Sequence, residues 1–473
     1  MIDPIAARTL HLPRILWIEL TSRCPLDCVF CTRASLRGAG QHMDFDLYQR
    51  LIGELERPQI VRLNYAGESG HYPRLAEAVA LAVRTGAEVE LVTALASLKP
   101  ERLQAALEAG LSRLTVSLHT LRSDRFEAIY RFSTLAAMHE RLQQVLHWRQ
   151  HAPRPFMLDL AFVAMQRNLD ELPALATFAA THGIEVLAVH PLIARDPLPL
   201  GAVVEHTADG ALEAGFRERL IATVALARER APGVRIQVSS HELQSTTSLA
   251  THPQPWPWPL PPTARIAGCD QSPFDSAHVL ADGRVIACEV TERVALGDLN
   301  QSSLQAIWHV PAYRAFRQRH FEGSESACRA CVYKQAYQPQ SAQARLAGAS
   351  LPAAQLLRGW HADDGSGVRW STASAALWLP RSRWRRHLEL RGQLAAPAST
   401  TAQFEVRIDG APVHRQAWLA PEAIELRVPL GPAGSREVLI EFECRGAGSP
   451  HALGQGNDVR ELGFALIAAG TVW

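Results

Sequence analysis

Three cysteines near the start of the chain have a spacing that suits redox chemistry. Cys24, Cys28 and Cys31 form a C-x3-C-x2-C pattern directly after the apolar run Ile15–Leu20. Cysteine thiolates are the usual protein ligands of iron–sulfur clusters. On a cubane cluster, three such ligands leave one iron open to bind a small molecule. A zinc knuckle or a scattered structural set is the alternative that the spacing alone leaves open.

A second group of cysteines lies further along the chain. Cys269, Cys288, Cys328 and Cys331 can either ligate every iron of a [4Fe–4S] cluster or form a tetrahedral zinc site. A cluster that is fully ligated by the protein has no open iron for substrate. Electron transfer is therefore the expected role of this second group.

The composition describes a globular protein without a strong electrostatic partner. Of 473 residues, 47% are hydrophobic and 20% are charged, and the formal net charge is +1. The length predicts two to four domains, and the charge balance gives no reason to expect nucleic acid or an anionic membrane as partner. We find neither a signal-peptide pattern nor an apolar run of the roughly 20 residues that span a bilayer. Clustered cysteines in such a chain favour metal binding in a cytoplasmic protein.

The first part of the chain alternates strand-like and helical segments. The strand-like runs are Ile15–Leu20, Ile60–Tyr65, Val89–Thr93, Leu114–Leu118, Phe156–Val163 and Val186–Val189. The helical patterns are Asp44–Glu56, Arg74–Arg84, Pro100–Ala109, Ser123–Arg149, Asp170–His182 and Leu212–Arg230. Six β–α units predict an α/β fold with a parallel sheet. In barrels of this kind the chemistry lies at the carboxyl ends of the strands, and the first three cysteines would lie on the first of those loops.

At these residues the chain resembles the radical S-adenosylmethionine (SAM) superfamily. In that family the open iron binds SAM, and the reduced cluster cleaves SAM to a 5′-deoxyadenosyl radical that abstracts hydrogen from substrate. The resemblance implies a partial (β/α)6 TIM-like barrel and a SAM-bound [4Fe–4S] cluster on Cys24, Cys28 and Cys31. It also implies an electron donor of the flavodoxin or ferredoxin type. The cofactor would carry the hard chemistry, while the protein supplies position and excludes water.

Further positions match SAM-binding parts of the family. Gly67–Glu68, at the end of the second strand, resembles the Gly-Gly-Glu motif that holds the SAM amino group, with Ala66 in place of the first glycine. Ser117 matches a ribose-contacting position, and Arg131 matches a basic residue that reaches the SAM carboxylate, although a solvated helix arginine is the alternative. The cofactor-binding positions implied in this way are Phe30, Gly67, Glu68, Thr93, Ser117, Arg131 and Asn168.

The sequence does not identify the catalytic residue. His119 shares a strand face with Ser117 by the period of two and could face SAM or substrate. A single histidine at a strand end is more often packed or hydrogen-bonded, so His119 is only a weak candidate.

The second cysteine group resembles the twitch domain, a shorter relative of the SPASM domain. Gly283-x4-Cys288 and Cys328-x2-Cys331 carry the resemblance, and no further cysteine follows until Cys444. A full SPASM domain would carry more cysteines there. The resemblance implies a small α+β domain with a second, auxiliary [4Fe–4S] cluster, and the zinc site remains the alternative.

The C-terminal third has the pattern of an all-β domain. Alternating runs at Phe404–Ile408, Ile424–Val428 and Val438–Cys444, separated by glycine-rich turns, predict an antiparallel sandwich or jelly roll. The segments Gly359–Trp370 and Asn457–Phe464 resemble β-sandwich modules attached to bacterial glycosyltransferases. Tryptophans are frequent here, and we expect most of them in the core, although tryptophan also stacks on sugars.

These patterns divide the chain into four regions. Residues 1–235 are the predicted radical SAM barrel, 236–265 a proline-rich linker, 266–345 the twitch or SPASM-like domain, and 355–473 the β-sandwich accessory domain.

The combined expectation is a cytoplasmic radical SAM oxidoreductase. It would oxidise a carbinol or another activated C–H bond of a sugar, cyclitol or glycan, with the auxiliary cluster accepting the second electron. A maturase that oxidises or crosslinks a peptide is the first alternative, and a non-catalytic zinc- and sugar-binding protein is the second. Epimerisation is disfavoured because it needs a hydrogen donor, commonly a cysteine, and only Cys444 is spare.

Overall fold

The computed structural model describes most of the chain. The described residues are 9, 12–56, 58–95, 99–152, 154–192, 214–238, 265–269, 271–292, 294–331, 334–337, 343–347, 355–361, 367–382, 384–398, 402–431, 437–450, 453–455, 458 and 460–473. The predicted proline-rich linker lies almost entirely outside these residues.

The strands and helices follow one another in three groups along the chain. The strands are β1 (Ile15–Ile18), β2 (Ile60–Arg62), β3 (Glu88–Thr93), β4 (Arg113–Ser117), β5 (Met157–Ala164), β6 (Val186–Pro191), β7 (Arg235–Val238), β8 (Arg265–Cys269), β9 (Ser276–Val279), β10 (Arg284–Ile286), β11 (Ala295–Asp298), β12 (Lys334–Tyr337), β13 (Arg345–Ala347), β14 (Leu356–Trp360), β15 (Arg369–Pro380), β16 (His387–Leu394), β17 (Gln403–Ile408), β18 (Ala411–Ala417), β19 (Glu422–Pro429), β20 (Glu437–Arg445) and β21 (Phe464–Val472). The helices are α1 (Arg33–Arg37), α2 (Phe45–Glu54), α3 (Leu75–Val83), α4 (Pro100–Glu108), α5 (Ser123–Tyr130), α6 (Leu135–His151), α7 (Leu172–Thr181), α8 (Ala214–Arg230), α9 (Leu304–Trp308), α10 (Pro311–Glu322) and α11 (Ser326–Ala330).

One large sheet carries the first half of the molecule. Its strand order is β11-β10-β9-β1-β2-β3-β4-β5-β6-β7, and the strands from β1 to β7 are parallel. This confirms the predicted parallel α/β region, and β7 adds a parallel strand beyond the six that the sequence pattern indicated. The carboxyl ends of these strands and the loops that follow them therefore share one rim.

Local sequence signals begin the helices that cover this sheet. Asp44 caps α2 by accepting a hydrogen bond from the backbone N–H of Leu47 at 2.9 Å. Thr134 caps α6 in the same way, and Pro100 occupies the first turn of α4, where it removes no needed hydrogen bond. The predicted single helix from residue 123 to residue 149 is two helices, α5 and α6.

The cysteine-rich second region extends the first sheet. Strand β9 pairs in parallel with β1, with Ile15 opposite Ser276, and β10 and β11 continue the sheet in antiparallel fashion. A single apolar core also runs from the barrel strands into α9 and α10. The two cysteine-bearing regions therefore share one sheet and one apolar core.

The C-terminal region is an antiparallel double layer, as predicted. Strand β15 pairs with β20 through its second half and with β21 through Arg369 and Trp370, so it joins the two layers. Between the layers, the rings of Phe404 and Phe442 each stack on Phe464 at centroid distances of 5.3 and 5.2 Å.

Only part of the tryptophan set lies in this core. Trp378 and Trp418 are buried, and the Trp418 indole N–H donates to the carbonyl of Ala395 at 2.8 Å. Trp384 and Trp473 are 54% and 74% exposed.

The sandwich contacts the barrel at the end opposite the cysteine loops. Glu443 of β20 accepts hydrogen bonds from Arg14, just before β1, and from the Gln59 amide at 3.0 Å, just before β2. Glu443 is 3% exposed, and Arg14 also pairs with Asp275 at 3.0 Å. Arg14 therefore joins three segments that are distant in sequence.

Replacing Glu443 with leucine is expected to destabilise the protein. The change leaves the largely buried Arg14 without one of its two carboxylates, and we expect a loss of about 3 kcal/mol in the free energy of unfolding. Denaturant unfolding followed by fluorescence measures this loss. The matched control is Glu389→Leu, which removes an exposed pair with Arg427 at 3.7 Å and should cost less than about 1 kcal/mol. Equal losses in both variants would show that the buried Glu443–Arg14 pair stabilises the protein no more than an exposed ion pair does.

Candidate active site at the two cysteine-bearing regions

The first three cysteines lie on the loop that follows β1, at the rim where the parallel strands end. Cys24, Cys28 and Cys31 are free and partly exposed. Backbone hydrogen bonds fix the loop: the N–H of Val29 donates to the carbonyl of Ile129 in α5 at 3.0 Å, and the N–H of Cys31 donates to Cys28 at 3.0 Å. The loop is therefore held against the segment that follows β4.

The loop after β2 lies in close contact with the cysteine loop. The backbone N–H of Glu68 donates to the carbonyl of Arg23 at 2.9 Å. A Cβ atom on Gly67 would lie 2.0 Å from the carbonyl oxygen of Thr21 and 2.8 Å from that of Arg23. Glycine is required at residue 67 because the two backbones approach too closely for any side chain.

Gly67→Ala is expected to displace the cysteine loop and to lower SAM cleavage by about 100-fold, as displacements of about 1 Å can do. Cleavage is measured as 5′-deoxyadenosine formed by the reconstituted enzyme. Gly53→Ala is the matched control, because Gly53 lies in α2 with nothing within 4 Å of the added atom. Full cleavage by the Gly67 variant would contradict the required close approach.

Glu68 joins the second and third loops of the rim. Its carboxylate accepts hydrogen bonds from the Thr93 hydroxyl at 2.7 Å, from the Ala94 backbone N–H at 2.8 Å and from the Gly70 backbone N–H at 3.3 Å. Glu68 is 4% exposed, and burial raises its pKa, opposed by these hydrogen bonds. Thr93 and Glu68, both predicted to bind cofactor, therefore hold each other in place.

An aromatic stack lies beside the cysteine loop. Phe30 contacts the His119 ring edge-on at 5.1 Å, and His119 stacks on Tyr130 at 5.1 Å. His119 is buried, its Nδ1 accepts a hydrogen bond from the N–H of Val163 at 3.2 Å, and burial lowers its pKa to about 3. His119 is therefore a neutral, packed ring rather than a proton donor near neutral pH.

Asn168 and Ser117 lie around the same stack. The Asn168 side chain is fully buried and bonds to the backbone of Met165, His119 and Val163 at 2.8–3.0 Å. The Ser117 carbonyl accepts the Tyr130 hydroxyl at 2.6 Å, and its side chain is partly exposed. Asn168 thus ties the loop after β4 to β5, and contacts of Asn168 or Ser117 with SAM remain predictions.

Arg131 pairs with the cysteine loop itself. Its guanidinium lies 2.7 Å from the carboxylate of Asp27, between the first two cysteines of the motif, and both side chains are about half exposed. The predicted contact with the SAM carboxylate remains a prediction, and the observed pair instead links α5 to the cysteine loop.

A second ion-pair group connects the two cysteine-bearing regions. Arg37 of α1 pairs with Glu19, after β1, at 3.5 Å and with Glu292, four residues beyond Cys288. Glu19 also accepts a hydrogen bond from the backbone N–H of Ala281 at 2.9 Å. Buried charges thus fix the β9–β10 hairpin to the first loop.

Four of the five remaining cysteines line one cavity. Cys269 ends β8, Cys288 follows β10, Cys328 lies in α11 and Cys331 follows it, and together they border about 440 Å³ of space that includes its opening to solvent. The structure therefore brings together four side chains that are spread over more than sixty residues.

Family comparisons coincide with these two regions. A model of the radical SAM superfamily matches residues 18–147, and a model of SPASM, an iron–sulfur cluster-binding domain, matches residues 269–332. The chain therefore contains a radical SAM domain and a SPASM domain. The first match begins at the end of β1 and ends within α6, and the second contains all four cysteines of the cavity.

Curated relatives extend over more of the enzyme. The PqqA peptide cyclase of Rhodopseudomonas palustris is 24% identical over 336 residues, which are 70% of this chain and 82% of that protein. The PqqA peptide cyclase of Methylobacterium nodulans is 25% identical over 332 residues, 68% of this chain and 79% of that protein. GTP 3′,8-cyclase 1 of Pseudomonas aeruginosa is 28% identical over 197 residues, 39% of this chain and 55% of that protein.

Solved structures share the fold. SuiB of Streptococcus suis bound to S-adenosylmethionine aligns with a TM-score of 0.52 at 13% identity, covering 68% of this chain and 72% of that chain. SuiB bound to the precursor peptide SuiA aligns with a TM-score of 0.50 at 13% identity, covering 69% and 72%.

The cofactors of a radical SAM enzyme with a SPASM domain are SAM, its [4Fe–4S] cluster and auxiliary iron–sulfur clusters. The donor set suits such groups, because three thiols lie on one loop and four more line one cavity. Burial raises the pKa of Cys24 to about 11, and burial together with the neighbouring thiols raises the pKa of Cys28 and Cys269. Bound iron supplies the positive charge that keeps such thiols deprotonated.

Among the described residues, no three His, Cys, Asp or Glu side chains meet as the ligands of one metal ion do. The same described residues contain no helix that is both long and apolar enough to cross a membrane.

Sequence reasoning missed two residues of the cavity and a charged row in the barrel. His320 and Lys334 line the cavity with the cysteines. Lys334 could have been found from the sequence, because it lies only three residues after Cys331. The residues around His320 in the sequence gave no sign that it lines the cavity. The missed row runs across β2, β3, β4 and β5, with Arg62 2.6 Å from Glu90, Arg113 3.4 Å from Glu90, and Arg113 paired with Asp159.

Proposed function

We propose that this enzyme modifies a ribosomally made precursor peptide by oxidation or crosslinking. The observation that carries the proposal is the similarity to PqqA peptide cyclase over 82% of that protein. The aligned region is far longer than the cysteine motif alone. SuiB, a protein with the same fold, has been crystallised with its precursor peptide SuiA.

The proposed ligand sets follow the two cysteine-bearing regions. Cys24, Cys28 and Cys31 would hold the SAM-binding cluster, with SAM beside Phe30 and the loops of Gly67–Glu68 and Ser117. The set Cys269, Cys288, Cys328 and Cys331 would hold one auxiliary cluster. When bound, these groups supply the radical that removes a hydrogen atom and an acceptor for the remaining electron.

The protein residues contribute position and shielding. The close approach of Gly67 to the cysteine loop and the Glu68–Thr93 hydrogen bond fix the rim on one side. Phe30, His119 and Tyr130 form its apolar wall on the other side, which excludes water from a reactive site. We assign His119 to this packing role, because a neutral ring with a pKa of about 3 is a poor base.

The sugar, cyclitol or glycan substrate expected from the sequence is the competing outcome of the test below. The named relatives are a peptide cyclase and a GTP cyclase, and neither name contains a free sugar, a cyclitol or a glycan. An oxidising reaction and a flavodoxin- or ferredoxin-type donor remain predictions.

The test follows hydrogen from substrate to product. Cells that make this enzyme are grown in D₂O, and their small molecules are separated into a peptide fraction and a sugar fraction. Each fraction is incubated anaerobically with the reconstituted enzyme, SAM and dithionite. Deuterium in 5′-deoxyadenosine from the peptide fraction, lost after protease treatment, is the expected result.

Deuterium transfer from the protease-resistant sugar fraction alone would overturn the proposal. The matched control is the Cys24/Cys28/Cys31→Ala variant, which should transfer no deuterium from either fraction.

A further inference from the structure

A histidine and a lysine line the cavity that is formed by Cys269, Cys288, Cys328 and Cys331. They are His320 and Lys334. His320 is 2% exposed and Lys334 is 4% exposed. Long polar side chains are rarely buried to this extent unless a partner compensates them.

His320 faces a cysteine sulfur. Its Nδ1 lies 3.3 Å from the Sγ of Cys328. A thiolate sulfur only accepts hydrogen bonds, so a metal-bound Cys328 requires Nδ1 to carry the proton and donate it. His320 is thus placed to donate a hydrogen bond from Nδ1 to this ligand.

Helix α10 holds His320 in this position. Arg317, one turn earlier, donates to the carbonyl of Pro273 at 2.8 Å and to that of Trp308 at 2.6 Å, and its guanidinium lies 3.9 Å from the Trp308 ring centre. The Phe274 ring lies 6.1 Å from the His320 ring. The buried anchor fixes the helix backbone from which the imidazole extends.

Lys334 places a positive charge on the wall of the same cavity. It lies on β12 directly across from Cys269 on β8, and its Nζ donates to the carbonyl of Cys331 at 2.8 Å. A buried ammonium beside four thiolate ligands compensates part of their negative charge.

We propose that His320 and Lys334 raise the reduction potential of the auxiliary centre, so that it accepts an electron readily. One-electron reduction adds one negative charge to the centre, and both a donated N–H and a nearby cation stabilise that charge. The proposal rests on the proposed assignment of the four cysteines to an iron–sulfur cluster, and is independent of the substrate.

The test measures the potential of this centre alone. The full chain carrying Cys24/Cys28/Cys31→Ala is reconstituted and titrated anaerobically with EPR detection. His320→Leu and Lys334→Met are each expected to shift the one-electron equilibrium about tenfold toward the oxidised form, a fall of about 59 mV. His320→Asn, whose amide can donate to the same sulfur, should recover part of the shift.

Arg314→Met is the matched control, because it removes one positive charge from the exposed face of α10. It should leave the potential nearly unchanged, since solvent screens that charge. Unchanged potentials in both His320→Leu and Lys334→Met, with iron content intact, would overturn the proposal. If His320→Leu fails to bind iron, the proposal is tested by comparing the reduction potential of Lys334→Met with that of Lys334→Arg, which keeps the positive charge.

The outcomes separate this proposal from the proposed function. A parent protein that binds zinc and no iron at the second set overturns the cluster assignment itself. A normal potential shift with no deuterium transfer from peptide overturns the substrate and leaves the roles of His320 and Lys334 in place.

Discussion

Replacing Cys24, Cys28 and Cys31 together with alanine is expected to abolish SAM cleavage and to leave about one [4Fe–4S] cluster per chain. The three thiols are the predicted ligands of the SAM-binding cluster, whereas the four cavity cysteines lie on other elements and keep their own site. Iron and acid-labile sulfide per chain, together with 5′-deoxyadenosine formed under reducing conditions, measure both effects.

The matched control for this variant is Cys444→Ala. Cys444 is fully buried in β20 of the sandwich, away from both cysteine-bearing loops, and its loss should leave iron content and cleavage unchanged. Two full clusters in the triple variant would refute the assignment of the first three cysteines.

Cys328→Ala is expected to retain SAM binding and to lose formation of the final product. The change removes one of four ligands from the second site, while the first loop and its contacts with Gly67 and Glu68 are untouched. SAM binding measured by equilibrium dialysis, and product measured by mass spectrometry, separate the two effects. Product formed at the rate of the parent enzyme would remove the second site from the mechanism.

The sequence predicted the cysteine ligands better than it predicted the hydrogen bonds that hold the surrounding residues in place. Cys24, Cys28 and Cys31 fall on the first β–α loop as predicted, because the period of the barrel segments fixes where each loop falls. Glu68 and Asn168 are different, since both were matched to SAM contacts. The structure gives their side chains several partners within the protein, and only tertiary contact decides those partners.

Long-range pairing was the part of the fold that local patterns could not predict. Strand β9 has a short apolar sequence like many others, and nothing in it selects β1 as its neighbour. The buried pairs of Arg37 with Glu19 and Glu292 were hidden for the same reason, because each charge resembles a surface residue until its partner is known. His320 likewise gains its meaning only from the 3.3 Å contact with Cys328.

The pairing of β9 with β1 can form only late in synthesis, because the two strands are far apart in the sequence. While the barrel segments leave the ribosome, β1 has β2 on one side, and its other edge stays unpaired until residues 276–279 have been made. An open strand edge invites pairing with other chains. The nascent chain therefore carries the first cysteine loop beside an unprotected edge for most of its synthesis, and a chain that stops before residue 276 keeps that edge permanently.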